Sequence, residues 1–256
     1  MRDSNGPLEE AIETAGLFAG VSAEGMRRLR AAAVVQIAPA GVILFEQGDL
    51  PSFQSVVLGG GVHLLGRSPS GHEVVLALAE APEPLLPASV LAETPYLARA
   101  RAVEAARVLM VQADVFRALA TEEAALAQAL LLVLSRQFRC MVRQIRTLKL
   151  RNTTERVAAY LLRLSRRHGG TQRLSLPYEK GLIASELGMT RESFSRVLAT
   201  LQERAIAVHG QSIEIRDAES LRELSAPDPL TDRDPALALP HATLPPRPAA
   251  LHDRRH

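Results

Sequence analysis

The stretch MTRESFSRVLATLQER, from Met189 to Arg204, places Arg191, Glu192, Ser195 and Arg196 within six residues. On a helix with Arg191 taken as zero, Ser195 falls near 40°, Glu192 near 100° and Arg196 near 140°, while Phe194, Val197, Leu198 and Leu201 fall between roughly 240° and 340°. One face is therefore polar and the other apolar. The polar types match what a DNA major groove offers: arginine donates two hydrogen bonds to guanine, glutamate accepts one from cytosine, and serine is short enough to reach a base or a phosphate. The competing reading is a three-helix core with a solvated charged face.

The neighbouring residues favour the first reading. Thr190 is placed to cap the helix and Gly188 to make a tight turn before it. The preceding LIASELG supplies a helix whose Leu182, Ile183 and Leu187 back the buried side. A hairpin about His209-Gly210 follows, in IAVHGQSIEIRD, and Asn152, Thr153 and Glu155 open an earlier helix that stops at Gly169-Gly170. This is a winged helix-turn-helix pattern, expected over residues 149–225. Lys180, Lys149 and Arg151 are candidate phosphate contacts beside it.

A long helix without proline or glycine is expected from about Thr121 to Thr147. Ala127, Leu131, Leu134, Phe138, Met141, Ile145 and Leu148 recur along it at spacings of four and three, which is a heptad seam. Leu126, Leu130 and Val133 form a second apolar set. The helix is therefore expected to bury one side in its own chain and to pair the seam with a second copy, although an ordinary core helix of a monomer has the same spacing. Asp114 is the expected N-cap of a short helix before it, and residues 114–148 are read as this helical unit. Between Val34 and Val111, short β-branched runs broken by Gly48-Asp49, Gly59 to Gly61 and Ser68 to Gly71 predict a small β-roll, giving residues 1–113 as a lead-in and roll. Residues 226–256, rich in proline and without periodicity, are expected to be disordered and dispensable for folding. The fold class is α+β.

Bulk composition bounds the function. At 256 residues and 47% hydrophobic, the chain has material for real cores. From Met1 to Leu148 it carries 13 Lys+Arg against 15 Asp+Glu, and from Lys149 to Ser225 13 against 9, so the basic excess lies with the helix-turn-helix. That balance fits a polyanion partner. The acidic N-terminus does not read as a signal peptide and there is no run of eighteen apolar residues, so a cytoplasmic protein with no membrane partner is expected. A single cysteine, Cys140, excludes a four-cysteine iron–sulfur or zinc site within one chain; its plain reading is a packing residue and its sharper one a redox-sensitive thiol. No phosphate-binding glycine loop, metal-ligand cluster or nucleophile and base pair stands out, so no enzyme is expected.

Taken from Leu17 to Leu224, the chain resembles the Crp/Fnr superfamily of transcription regulators. LFAGVSAEGMRRL, PAGVILFEQGD, VVLGGGVHLL and LKLRNTTERVAAYLL are similar to its first helix, its cyclic-nucleotide-type β-roll and its hinge, and LPYEKGLIASELGMTRESFSRVL to its Fnr and Dnr branches. The resemblance implies a homodimer on two inverted DNA half-sites, an allosteric sensor domain, and RNA polymerase as a partner. Glu192, Ser195 and Arg196 match the pattern associated with TTGAT-type half-sites. Arg191 departs from that branch and is similar to the cAMP receptor protein, which prefers TGTGA.

The same resemblance frames the signal. Arg99 falls where the family binds a cyclic-nucleotide phosphate, yet Leu85, Leu86, Pro87, Ala88 and Ser89 offer no carboxylate for the ribose, so cAMP is not the expected ligand. Dnr-like relatives are associated with haem and nitric oxide, which makes His63 and His72 the candidate axial ligands. A strand or turn histidine is more often a surface residue, and that is the plainer reading of each. An apolar pocket beside Leu126, Leu130 and Val133 is the other candidate ligand site. The expected function is a DNA-binding regulator sensing oxygen, nitric oxide or redox state; the alternatives are a cyclic-nucleotide-responsive regulator and a ligand-binding module that acts through protein partners.

Overall fold

The computed structural model describes residues 6–232. Helices α1 (Gly6–Ala15) and α2 (Ala23–Ala31) precede strands β1 (Ala33–Ala38), β2 (Ile43–Phe45), β3 (Phe53–Gly59), β4 (Gly61–Arg67), β5 (Glu73–Glu80) and β6 (Glu83–Pro84). Helix α3 (Pro87–Ala92) leads to β7 (Arg99–Ala102) and β8 (Ala106–Gln112), then to α4 (Ala113–Glu122) and the long α5 (Ala124–Leu150). The second half holds α6 (Thr153–Arg167), β9 (Arg173–Ser175), α7 (Lys180–Glu186), α8 (Arg191–Gln202), β10 (Ile206–His209), β11 (Ser212–Ile215), α9 (Ala218–Leu224) and α10 (Pro229–Asp232). The class is α+β.

Two antiparallel sheets, ordered β1-β8-β3-β6 and β2-β7-β4-β5, make the roll. Its interior is filled by small residues, Val57, Val62, Ala79, Ala100, Ala102, Ala106 and Val108, as suits a chain with only 4% aromatic residues. Gly60 turns β3 into β4 at φ +75°, and a side chain there would lie 2.6 Å from the Ala105 carbonyl oxygen. Only glycine fits.

The outer face of the β1-containing sheet is covered by helices. Ala11, Ile12, Phe18, Phe116, Leu119, Leu126, Leu130 and Val133 pack with Val56, Leu109 and Val111 into one buried cluster. Each large apolar side chain so buried stabilises the fold by about 1.5–3 kcal/mol. This corrects the expectation of a ligand pocket beside Leu126, Leu130 and Val133, because that space is packed core.

The helix boundaries also differ from expectation. Gln112, not Asp114, is the N-cap of α4, and Asp114 sits in the first turn, where its charge complements the helix dipole. The long helix starts at Ala124 rather than Thr121, because Glu123 is extended, at φ −103° and ψ 102°. The Glu123 carboxylate accepts from the Ser22 backbone N–H at 3.0 Å and from the Ser22 hydroxyl at 2.5 Å, tying the break to the head of α2.

Beyond its buried first half, α5 leaves Leu131, Phe138, Met141 and Ile145 exposed, with Ala127 and Leu134 half-buried. Its length and composition alone would let it cross a membrane. In this fold it joins the roll to the second unit, and Arg136 on it forms a 2.5 Å ion pair with the buried Glu83.

Four helices, α6 to α9, and a small sheet ordered β10-β11-β9 enclose the second core, which includes Val157, Leu161, Ile183, Phe194, Leu198, Leu201, Ile213 and Leu221. Asn152 and Glu155 cap α6 reciprocally, at 3.0 and 2.8 Å. Strand β9 was not foreseen, since three residues carry too little alternation to read. The expected disorder after Ser225 is corrected for residues 226–232, which fold back onto the helices. The rest of that tail lies outside the described residues.

Candidate nucleic-acid interface

Helix α8 is held by Phe194, Val197, Leu198 and Leu201, all buried. Arg191, Glu192, Ser195 and Arg196 are exposed on the other side. Thr190 caps the helix by accepting from the Ser193 N–H at 3.2 Å. Arg196 reaches back to the Ser193 hydroxyl at 3.4 Å, so its guanidinium lies along the first turns. The Glu192 carboxyl is held below its usual range, first by its own backbone N–H and then by the Thr190 hydroxyl. It is a ready hydrogen-bond acceptor.

Gly188 makes the turn between α7 and α8 at φ +64°, and a Cβ there would meet Leu148 of α5 at 2.6 Å. Lys180 is half-buried at the start of α7, and Arg191 runs alongside Gly181. Lys149 is exposed. Arg151 is not free for a phosphate: its side chain is 8% exposed and paired with Asp232.

The helix-turn-helix packs on the roll of its own chain. The Val75 N–H of β5 donates to the Ser185 hydroxyl of α7 at 2.9 Å, and Gln144 of α5 donates to the Leu76 carbonyl at 2.8 Å. β5 is the last strand of its sheet, and Leu76 has no partner in β4, since Leu65 pairs Val75 and Leu64 pairs Ala77. A bulge on an edge strand thus presents one polar backbone group to α7 and another to α5. Tyr178 adds a 3.3 Å hydrogen bond to Glu80. A cleft of about 120 Å³, lined by Leu78, Cys140, Arg156, Arg163, Tyr178 and others, remains between the units.

These contacts relocate His63. It is buried, not a surface histidine, with its ring 5.4 Å from Tyr178 in an edge-on packing. Burial, aided by Arg101, pushes its pKa down to about 4. A porphyrin at His63 would have to displace Tyr178 and the α7 contact, so this packing does not fit haem. His72 sits exposed in the β4–β5 turn. Among the described residues no group of three or more histidines, cysteines or carboxylates converges as a metal site. Arg99 is paired with Glu46 at 2.6 Å and Glu73 at 2.9 Å, so a phosphate at its expected slot would have to displace two carboxylates. Cys140 is half-buried on α5.

Residues 155–224 match the Crp-like helix-turn-helix domain and residues 35–123 the cyclic nucleotide-binding domain. The chain is 31% identical over 188 residues to the cyclic AMP receptor protein of Thermus thermophilus, covering 73% of this chain and 86% of that protein. It is 28% identical over 188 residues to the anaerobic regulatory protein of Haemophilus influenzae, covering 72% of this chain and 73% of that one. FixK2 from Bradyrhizobium japonicum superposes with a TM-score of 0.66 over 77% of this chain and 98% of its own; at 20% identity the likeness is one of fold.

Proposed function

Because the chain belongs to the Crp/Fnr superfamily of transcription regulators, we propose that it acts as a homodimer whose two α8 helices read successive major grooves of an inverted-repeat DNA site. The observation that supports this most directly is the exposed face of Arg191, Glu192, Ser195 and Arg196, backed by Phe194 and Leu198 in the core. Two copies paired through Leu131, Leu134, Phe138, Met141 and Ile145 would set two such faces about one helical turn apart. Lys180 and Lys149 supply phosphate contacts, and the affinity falls with salt accordingly. The domain limits at 113, 148 and 225 belong to this reading, as do RNA polymerase as partner and the cytoplasm as its place of action.

An electrophoretic shift with inverted TTGAT and TGTGA sites tests the proposal. Specific retardation by one of them is expected. Failure to bind any sequence enriched from a random pool specifically would overturn it in favour of a ligand-binding module working through protein partners.

For the input we infer oxygen, nitric oxide or redox state. Leu85 to Ser89 offer a ribose no carboxylate, and Arg99 is already committed to Glu46 and Glu73. A cyclic nucleotide is the second reading, supported by the match of residues 35–123. Calorimetric titration with cAMP and an absorption spectrum of freshly purified protein separate the two: heat of binding with a bare spectrum favours the nucleotide, and a visible chromophore the gas or redox input.

A further inference from the structure

The segment after the second core, residues 226–232, makes a set of contacts that neither domain match includes. Arg146, in the last turns of α5, pairs with Asp228 at 2.8 Å. Arg151, the residue just after α5, forms a two-point pair with Asp232, one contact being 3.3 Å, and donates to the Ala226 carbonyl at 3.1 Å. Arg166, in the last turn of α6, donates to the Asp232 carbonyl at 2.9 Å. The segment is braced internally, since the Asp228 N–H reaches the Asp232 carboxylate and the Asp232 N–H the Asp228 carbonyl, at 2.8 and 2.7 Å.

Only Arg151 and Asn152 lie between α5 and α6. Arg146 belongs to the helix that comes from the roll, Arg151 to the joint itself, and Arg166 to the first helix of the second unit. One short acidic segment therefore grips both sides of a two-residue joint. Charged hydrogen bonds at half-buried sites hold geometry better than exposed pairs do, because water screens them less and two-point arginine pairing fixes direction. Across the joint, the polar contacts between the second unit and β5 include Val75 to Ser185 of α7 and Tyr178, just before α7, to Glu80. The angle at the joint decides whether those contacts can form.

We infer that residues 226–232 are a built-in clasp that fixes the α5–α6 joint and thereby holds the DNA-binding unit docked on the sensor. The arginine surface made by Arg146, Arg151 and Arg166 is the docking site, and its occupant is this chain's own Asp228–Asp232 segment. Asp228 and Asp232 are thus positioning residues for the whole second unit.

Hydrogen exchange on the full chain tests this, with the Val75 amide as the reporter because it is bonded across the units. In Asp228→Asn/Asp232→Asn, exchange at Val75 and over residues 146–156 is expected to be severalfold faster than in the parent, with β3 and β8 amides unchanged. Losing Asp232 strips a buried arginine of its carboxylate, so Asp228→Asn alone, at a more exposed pair, is the second variant and should show the same pattern more weakly. Reversing that pair, Asp228→Arg with Arg146→Asp, should restore slow exchange at Val75. Faster exchange confined to residues 222–232, with Val75 at the parental rate in both variants, would overturn the inference and leave the segment as mere cover.

Discussion

The backbone N–H of Val75 and the hydroxyl of Ser185, 2.9 Å apart, join an open strand edge of the β-roll to the helix that precedes α8. An edge strand normally leaves such a group to water or to another chain. Here a single serine satisfies it. Ser185→Ala should cost about 1–3 kcal/mol of stability if the amide is not rehydrated, and should accelerate exchange at Val75 while leaving the core of the second unit intact. Residue-resolved exchange with urea unfolding checks both.

Groove reading by α8 makes the next expectation. Glu192→Ala or Arg196→Ala should reduce discrimination between the preferred half-site and a single-base variant by about 1–3 kcal/mol per lost bidentate contact. Arg191→Ala should shift preference away from TGTGA toward TTGAT. Competition binding with the two sites measures both, and unchanged specificity in all three variants would show that another surface reads the bases.

The two sides of α5 should answer differently to mutation. Phe138 and Ile145 are 63% and 56% exposed, so lysine at both should yield a protein of monomer size whose unfolding midpoint is little changed beyond the loss of dimer coupling. Leu130 is buried in the roll-facing cluster, and Leu130→Ala should cost about 2–5 kcal/mol. Sedimentation velocity and urea unfolding separate the two effects; a wild type that sediments as a monomer contradicts the seam.

His63 sets a pH dependence with a definite sign. Its pKa is about 4 in the fold and about 6.5 when unfolded, so the unfolded chain takes up the proton first. The stability tied to its neutral state is fully present above pH 6.5 and is lost as pH falls toward 4, by up to ~3 kcal/mol at 1.36 kcal/mol per unit. His63→Phe should flatten that part of the profile relative to the parent. Unfolding curves at pH 7 and pH 5 for both proteins give the comparison.

Where periodicity was strong, the sequence was a good guide. The 100° spacing in Met189–Arg204 separates the buried Phe194, Val197, Leu198 and Leu201 from the exposed charges as the structure does. The glycine at 188 and the threonine at 190 mark the turn and the cap because their side chains act locally. Contacts distant in sequence left no such trace. Nothing near His63 announces Tyr178, nothing near Arg151 announces Asp232, and the partners of Arg99 lie 53 and 26 residues before it. The break at Glu123 was hidden for the same reason: it depends on Ser22, 101 residues earlier. Ion pairs that commit an arginine, and core packing that fills an imagined pocket, belong to tertiary structure alone.

Leu148 completes the seam that runs from Ala127, and it also lies against Gly188, where a Cβ would approach it to 2.6 Å. One side chain thus belongs to both the pairing stripe and the turn that aims α8. The absence of a Cβ at Gly188 lets the Leu148 side chain lie close to the backbone of that turn. A side chain at position 188 would push that leucine away, and with it a contact between the long helix and the helix-turn-helix.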